Sequence, residues 1–178
     1  MFDHGHSVCL PSESNYCQFA KSEFTLVRRL WCLLTRARPV TATEVQSITA
    51  LLHAYGAALG AADVDQMLAL YTNDGVILPP HFPPSSGQEA LRETYTRIFK
   101  TIHLSIKFDI DEIVVMSPEW AFARTTAEGT KTMLATKAAE PHANQELFIV
   151  RKEAGTWKIA RYAFSTMKPL VQDGVRRS

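Results

Sequence analysis

Among the apolar residues of a stretch near the C-terminal end, Asn144–Phe164 (NQELFIVRKEAGTWKIARYAF), stand Asn144, Glu146, Arg161 and Tyr162. Polar groups embedded in a buried surface need partners, because leaving them unpaired is costly. That need makes them candidates for a site. A second set lies upstream, where Arg124, Thr126 and Glu128 alternate and so fall on one face of an extended segment. An arginine and a carboxylate on a covered face must be paired or hydrogen-bonded. Four residues apart in a strand they are about 13 Å apart, beyond direct contact. A small ligand could join them; the competing arrangement is a cross-strand ion pair such as Glu128 with Arg151. His81, in the proline-rich PPHFPPSSG, titrates near neutral pH and could carry a proton, although a solvated loop histidine is the commoner case.

Other chemistries lack support. No nucleophile elbow, phosphate-binding glycine loop or H-E-x-x-H pattern occurs. His4-x-His6 falls short of the three or four ligands zinc takes, and His53, His103 and His142 show no ligand spacing. The three cysteines, Cys9, Cys17 and Cys32, are odd in number and lack a C-x-x-C pair. A cysteine-free remainder fits a reducing, cytoplasmic setting. A net charge of +1 over 178 residues gives no electrostatic case for nucleic acid or an anionic membrane. No uninterrupted apolar run is long enough to span a bilayer.

The elements that must position these groups follow in order. Residues 1–40 read as an N-terminal extension, poorly ordered or peripheral; Arg28 and Arg29 break the apolar run from Phe24 to Val40, against a cleaved secretory segment. The domain spans 41–167, with a loose tail at 168–178. Thr43 with Gln46 is a capping-box pattern opening a helix striped by Val45, Ile48, Leu52, Tyr55 and Leu59. Asp63 with Gln66 starts a second helix carrying Tyr71, which Asn73-Asp74-Gly75 ends before the strand Val76–Leu78. Ser86 with Glu89 caps a third helix, with Leu91, Tyr95, Ile98, Phe99 and Ile102. The period then changes to two from Leu104 to Val115, with a bulge near Asp111-Glu112. A long strand runs from Trp120 to about Lys137, a linker lies around Pro141, and a hairpin turns at Glu153–Thr156. Helices ahead of gathered antiparallel strands indicate an α+β fold with helices on one face of a curved sheet.

At this point AYGAALGAADVDQMLALYTNDGVILPP, followed by GQEAL and closed by ELFIVRKEAGTWKIARYAF, resembles the nuclear transport factor 2-like superfamily. It is most similar to SnoaL-like and SgcJ/EcaC-type domains related to ketosteroid isomerase, over roughly residues 43–166. The resemblance implies a cone-shaped antiparallel sheet on three N-terminal helices (a cystatin-like α+β roll) around a pocket. It also implies a homodimer through the convex face and no metal or organic cofactor. In the isomerases a first-helix tyrosine steadies the oxyanion, and Tyr55 occupies that place. Their base, an aspartate after the first strand, corresponds to Pro79, and their protonated aspartate falls at or beside Leu147. Neither proline nor leucine moves protons, so the isomerase's own mechanism is not expected, although Glu146 recovers part of it if the alignment slips by one.

Two function classes follow. One is a cofactor-independent isomerase, cyclase or dehydratase acting on a small, mostly apolar carbonyl compound, as in polyketide-tailoring relatives from secondary metabolism. Tyr55, Arg124, Glu128, Glu146 and His81 would do its chemistry, in a pocket lined by Tyr71, Phe99, Thr126, Asn144, Tyr162 and Phe164. The other is a non-catalytic ligand-binding or dimerisation module, in which Asn144 and Glu146 share the convex face with Arg161.

Overall fold

The computed structural model describes residues 42–167 and two short strands, 171–172 and 175–176. The extension 1–40 therefore lies outside the described residues, with the three cysteines and the His4/His6 pair. In the tail, expected to be loose, Val171–Gln172 and Val175–Arg176 pair as a two-stranded ladder.

Helix α1 (Ala42–Ala61) buries Ile48, Leu51, Leu52, Tyr55, Ala58 and Leu59, the stripe its three- and four-residue spacing predicts. It starts before Thr43, so Thr43 sits within the first turn rather than at the cap. A Schellman pair closes it, Ala62 N–H to Leu59 O and Asp63 N–H to Ala58 O, with Ala62 left-handed at φ 54°. Asp63 caps α2 (Val64–Ala69): its carboxylate accepts from the Gln66 backbone N–H and side-chain amide, both at 2.9 Å.

Tyr71 is not in that helix. It begins β1 (Tyr71–Leu78), and Asn73–Gly75 is an irregularity inside the strand, where the ladder shifts register between Tyr71 and Val76. Ser86 likewise does not cap a helix. It lies in β2 (Ser85–Ser86) opposite Val76, and α3 (Gln88–Thr101) starts after Gly87 with no side-chain cap.

Four long strands follow: β3 (Ile102–Val115), β4 (Trp120–Met133), β5 (Ala139–Glu153) and β6 (Thr156–Thr166). The six-stranded sheet runs β2-β1-β6-β5-β4-β3, with β1 parallel to β6 and the other neighbours antiparallel. Pro141, expected in a linker, belongs to β5 opposite Thr130. Among the described residues the β6 ladder ends at Asn144, so Pro141 is paired on its β4 side alone, which a residue without an N–H tolerates. The architecture is α+β, a curved sheet preceded by its helices, as expected.

Two single-residue bulges decide which side chains meet the helices. Asp111 is extra in β3, between Ile110 and Glu112. Ala160 is extra in β6, since Val150 faces Ile159 while Ile149 faces Arg161. A bulge reverses parity, so Trp157 and Ile159 before it and Tyr162 after it all turn inward. That accounts for apolar bulk on both alternating sets of this strand.

Candidate functional site

Register and burial together arrange the inner, helix-facing side of the sheet in rows running across β3, β4, β5 and β6. A deep row is Ile113–Ala123–Phe148–Tyr162, followed by Ile110–Thr125–Glu146–Phe164 and Phe108–Ala127–Asn144–Thr166. Beyond them lies Ile106–Gly129–His142. The deep row is packed with rings. Phe148 stacks on Tyr162 at 4.4 Å between centroids, and Tyr55 from α1 meets both edge-on at 5.1 and 5.2 Å. Toward the other end Ile98, Phe99, Ile106 and Phe164 are only half-buried, with Phe164 stacked on Tyr162 at 5.3 Å.

Glu146 sits at the boundary between these regions. It is 5% exposed, and both carboxylate oxygens accept hydrogen bonds: Oε1 from the Tyr162 hydroxyl at 2.8 Å, Oε2 from Thr125 at 2.7 Å. Burial pushes its pKa above the ordinary carboxylate range, and the two donated bonds offset part of that rise. Behind it runs a set of phenols. The Tyr95 hydroxyl on α3 lies 2.7 Å from that of Tyr71 and 3.4 Å from that of Tyr55. Burial, first among the causes, raises all four tyrosines, Tyr55, Tyr71, Tyr95 and Tyr162, so each stays protonated and acts as a donor. One carboxyl with raised proton affinity thus sits among neutral donors. Such a group can take a proton from a carbon acid and return it.

The structure brings Tyr55, Tyr71, Phe99, Asn144, Glu146, Tyr162 and Phe164 to this inner face, and leaves the β4 set off it. Along β4 the inward residues are Ala121, Ala123, Thr125 and Ala127. Arg124, Thr126 and Glu128 point outward, contrary to the expected inward face. Arg124 pairs with Glu112, Thr126 bonds the Asp111 carboxylate at 2.9 Å, and Glu128 is exposed. The physical reason is the desolvation cost of the two charges, against none for alanine. Glu128 has no pair with Arg151, which faces Trp120 and binds Asp74 and Glu153. Nor does Glu146 share a face with Arg161, which bonds the carbonyls of Ala160 and Asp74. His81 is exposed on the proline loop at φ 68°, outside the cluster.

Thr125 and Tyr95 escaped notice as polar members of the cluster. The signal for Thr125 was the run of small residues in its own parity; for Tyr95 it was only the α3 stripe, which does not announce a hydroxyl partner.

A SnoaL-like domain model matches residues 52–162, most of the chain and nearly all of the described sheet and helices. The chain belongs to the SnoaL-like domain family. Among solved structures, this SnoaL-like chain is 40% identical to a ketosteroid isomerase-like protein from Erwinia carotovora atroseptica, with a TM-score of 0.70. That match covers 72% of this chain and all of the other. A candidate scytalone dehydratase from Novosphingobium aromaticivorans matches at 20% identity and TM-score 0.61, covering 70% of this chain and 85% of that one. A candidate calcium/calmodulin dependent protein kinase II association domain from Xanthomonas campestris matches at 21% and 0.59, over 74% and 92%. The last two support the fold alone. Among the described residues of this SnoaL-like domain no helix is long and apolar enough to cross a membrane.

Proposed function

We propose that the protein is a cofactor-independent acid–base enzyme acting on a small carbonyl compound, with Glu146 as the proton carrier. The observation that carries this reading is a single buried carboxyl, raised in pKa and held at both oxygens by hydroxyl donors. Its ionised form would take a proton from the carbon next to the substrate carbonyl. The Tyr55 hydroxyl, which lies 3.4 Å from that of Tyr95 and also bonds Tyr162, would turn to the developing enolate oxygen. Tyr95 and Tyr71 support it from behind. Reprotonation at the same carbon gives exchange, at another carbon isomerisation, and loss of a neighbouring hydroxyl dehydration. Arg124, Glu128 and His81 have no part in the step.

The test is deuterium incorporation from heavy water into a panel of aromatic and alicyclic ketones, followed by mass spectrometry. Exchange well above the buffer blank is expected for at least one. A panel that exchanges no faster than the blank from pH 5 to pH 9 would sink the reading.

The reading extends to a homodimer through the outer face, where Val114 and Leu147 are 38% and 42% exposed in a field with Phe122 and Ile149. A cavity of about 420 Å³ at the same end of the sheet is lined by residues of both faces, Arg124, Gln145 and Leu147 together with Thr125, Glu146 and Phe164. Sedimentation equilibrium is expected to give twice the chain mass, falling toward one in Leu147→Arg. A wild-type monomer at micromolar concentration removes this part. The same exposed face favours the second reading, a dimerisation module without chemistry, if exchange is absent and the dimer stands.

A further inference from the structure

A second hollow lies at the other end of β6 from Glu146 and its neighbour Phe164. Trp157 and Phe164 are seven residues apart on that strand, about 20 Å. The hollow arises from strand pairing. β1 joins β6 only from Tyr71 opposite Ile159, so Thr156–Lys158 run past its start with no β1 residue beside them. Residues of α1 and of the end of α2 border this gap, leaving a cavity of about 380 Å³. Leu51, Leu70 and Trp157 form its apolar lining, and Ser47, Thr156 and Lys158 its polar lining.

The Trp157 ring is fixed in place. Its indole N–H donates to Glu44 Oε2 at 2.5 Å, and Lys152 Nζ donates to both Glu44 oxygens at 2.7 and 2.8 Å. The ring is thereby tied to the first turn of α1. The donors at the cavity are not engaged in this way. The Ser47 hydroxyl bonds the Thr43 carbonyl at 2.9 Å and offers none, but Lys158 Nζ and the Thr156 hydroxyl have no partner among the described residues. Across the ladder Lys158 faces Arg151, whose charge is matched by Asp74 and Glu153, while Lys152 and Glu44 match each other. Lys158 therefore lines the cavity as a cation without a counter-ion among the described residues. A backbone donor joins it. Ile159 gives its N–H to the Leu70 carbonyl at 2.8 Å, on the β1 side. Amides alternate sides along a strand, so the N–H of Trp157, two residues earlier, is directed into the gap. Lys152, opposite Trp157, accordingly sends its own N–H away from β6, to the Glu119 carbonyl at 2.8 Å.

We propose that this cavity is a second ligand site, taking a small amphipathic carboxylate. The carboxylate accepts from Lys158, Thr156 and the Trp157 amide, and a single ring or short chain lies on Leu51, Leu70 and the indole. The volume is at the small end of ligand cavities. One unmatched lysine suits one negative charge, whereas a phosphate dianion calls for a guanidinium fork or a run of amides. The site stands apart from Glu146 and from the reading built on it.

The experiment is calorimetric titration of 3-phenylpropanoate and 3-phenylpropanamide, alike in body and different in charge, into the full chain near pH 7. The acid is expected to bind about tenfold more tightly than the amide. Lys158→Met should abolish that preference. Ala69→Trp places an indole in the cavity from an exposed position at the end of α2, and should remove binding of both probes. Circular dichroism checks the fold of each variant. Equal affinities in the wild type overturn the inference, as does a preference that survives in Lys158→Met. Undiminished binding in Ala69→Trp would place the probe elsewhere in the protein, and absence of binding by either probe would leave no site; both outcomes also overturn it. Ketone deuterium exchange is expected at the wild-type rate in Lys158→Met, so this inference and the role of Glu146 fail separately.

Discussion

Glu146→Gln is expected to slow ketone deuterium exchange by about 10²–10⁴-fold, the usual contribution of a positioned acid–base group, with little change in KM. The amide keeps the length and shape of the side chain, and one of its two hydroxyl partners can reverse to accept from the new N–H. Geometry is thus preserved while the proton site is lost. Tyr162→Phe gives a second readout. The Tyr162 bond holds the Glu146 pKa down against burial, so its loss should move the acid limb of the rate profile to higher pH. The same residue sets a stability slope. Since burial raises its pKa, folded Glu146 retains a proton over a range where the unfolded chain has released it. The folded state then binds more protons, so stability falls as pH rises from the ordinary carboxylate range through the folded pKa. Glu146→Gln should remove that fall, read as urea midpoints from pH 4 to pH 8. A variant that exchanges at the wild-type rate would show that the proton is carried elsewhere.

The fold was legible because its signals are periodic. The α1 stripe, the Asp63 cap and the change of period at β3 each reflect one backbone geometry repeated over several residues. Its misreadings are local. Tyr71 follows helical spacing after Met67 and Leu68, yet α2 ends at Ala69, and Tyr71 instead pairs with Ile159, 88 positions along the chain, a contact no local rule contains. The site was half legible. Glu146 and Tyr162 stood out as polar groups in an apolar hairpin, but their face depended on where Ala160 breaks the alternation, and an alanine bulge leaves no compositional mark. The β4 residues were misassigned for a different reason. A pattern carried over from relatives placed Arg124 and Glu128 inward, whereas the charge penalty in their own strand argues outward. Where resemblance and desolvation disagreed, desolvation prevailed.

Gly129→Ala should be the most damaging small substitution in the sheet. An ideal Cβ at Gly129 would lie 2.1 Å from the Ser105 carbonyl oxygen and 2.8 Å from the Ile106 Cα. Both are backbone atoms of the neighbouring strand, so no side chain can swing aside. The added methyl must push β4 off β3 or rotate the local peptide, and either breaks ladder bonds where Gly129 pairs with Ile106. A loss of about 2–4 kcal/mol is expected, at the upper end for overpacking because the obstacle is rigid. Gly155→Ala is the comparison without the clash, since Gly129 (φ 159°) and Gly155 both have positive φ. Gly155 sits at φ 83° in the β5–β6 turn with open space around its Cβ position, so its cost is the left-handed penalty alone, about 1–2 kcal/mol. Denaturation midpoints of the two variants test the account. A Gly129→Ala protein as stable as the wild type would mean that the two strands do not approach this closely.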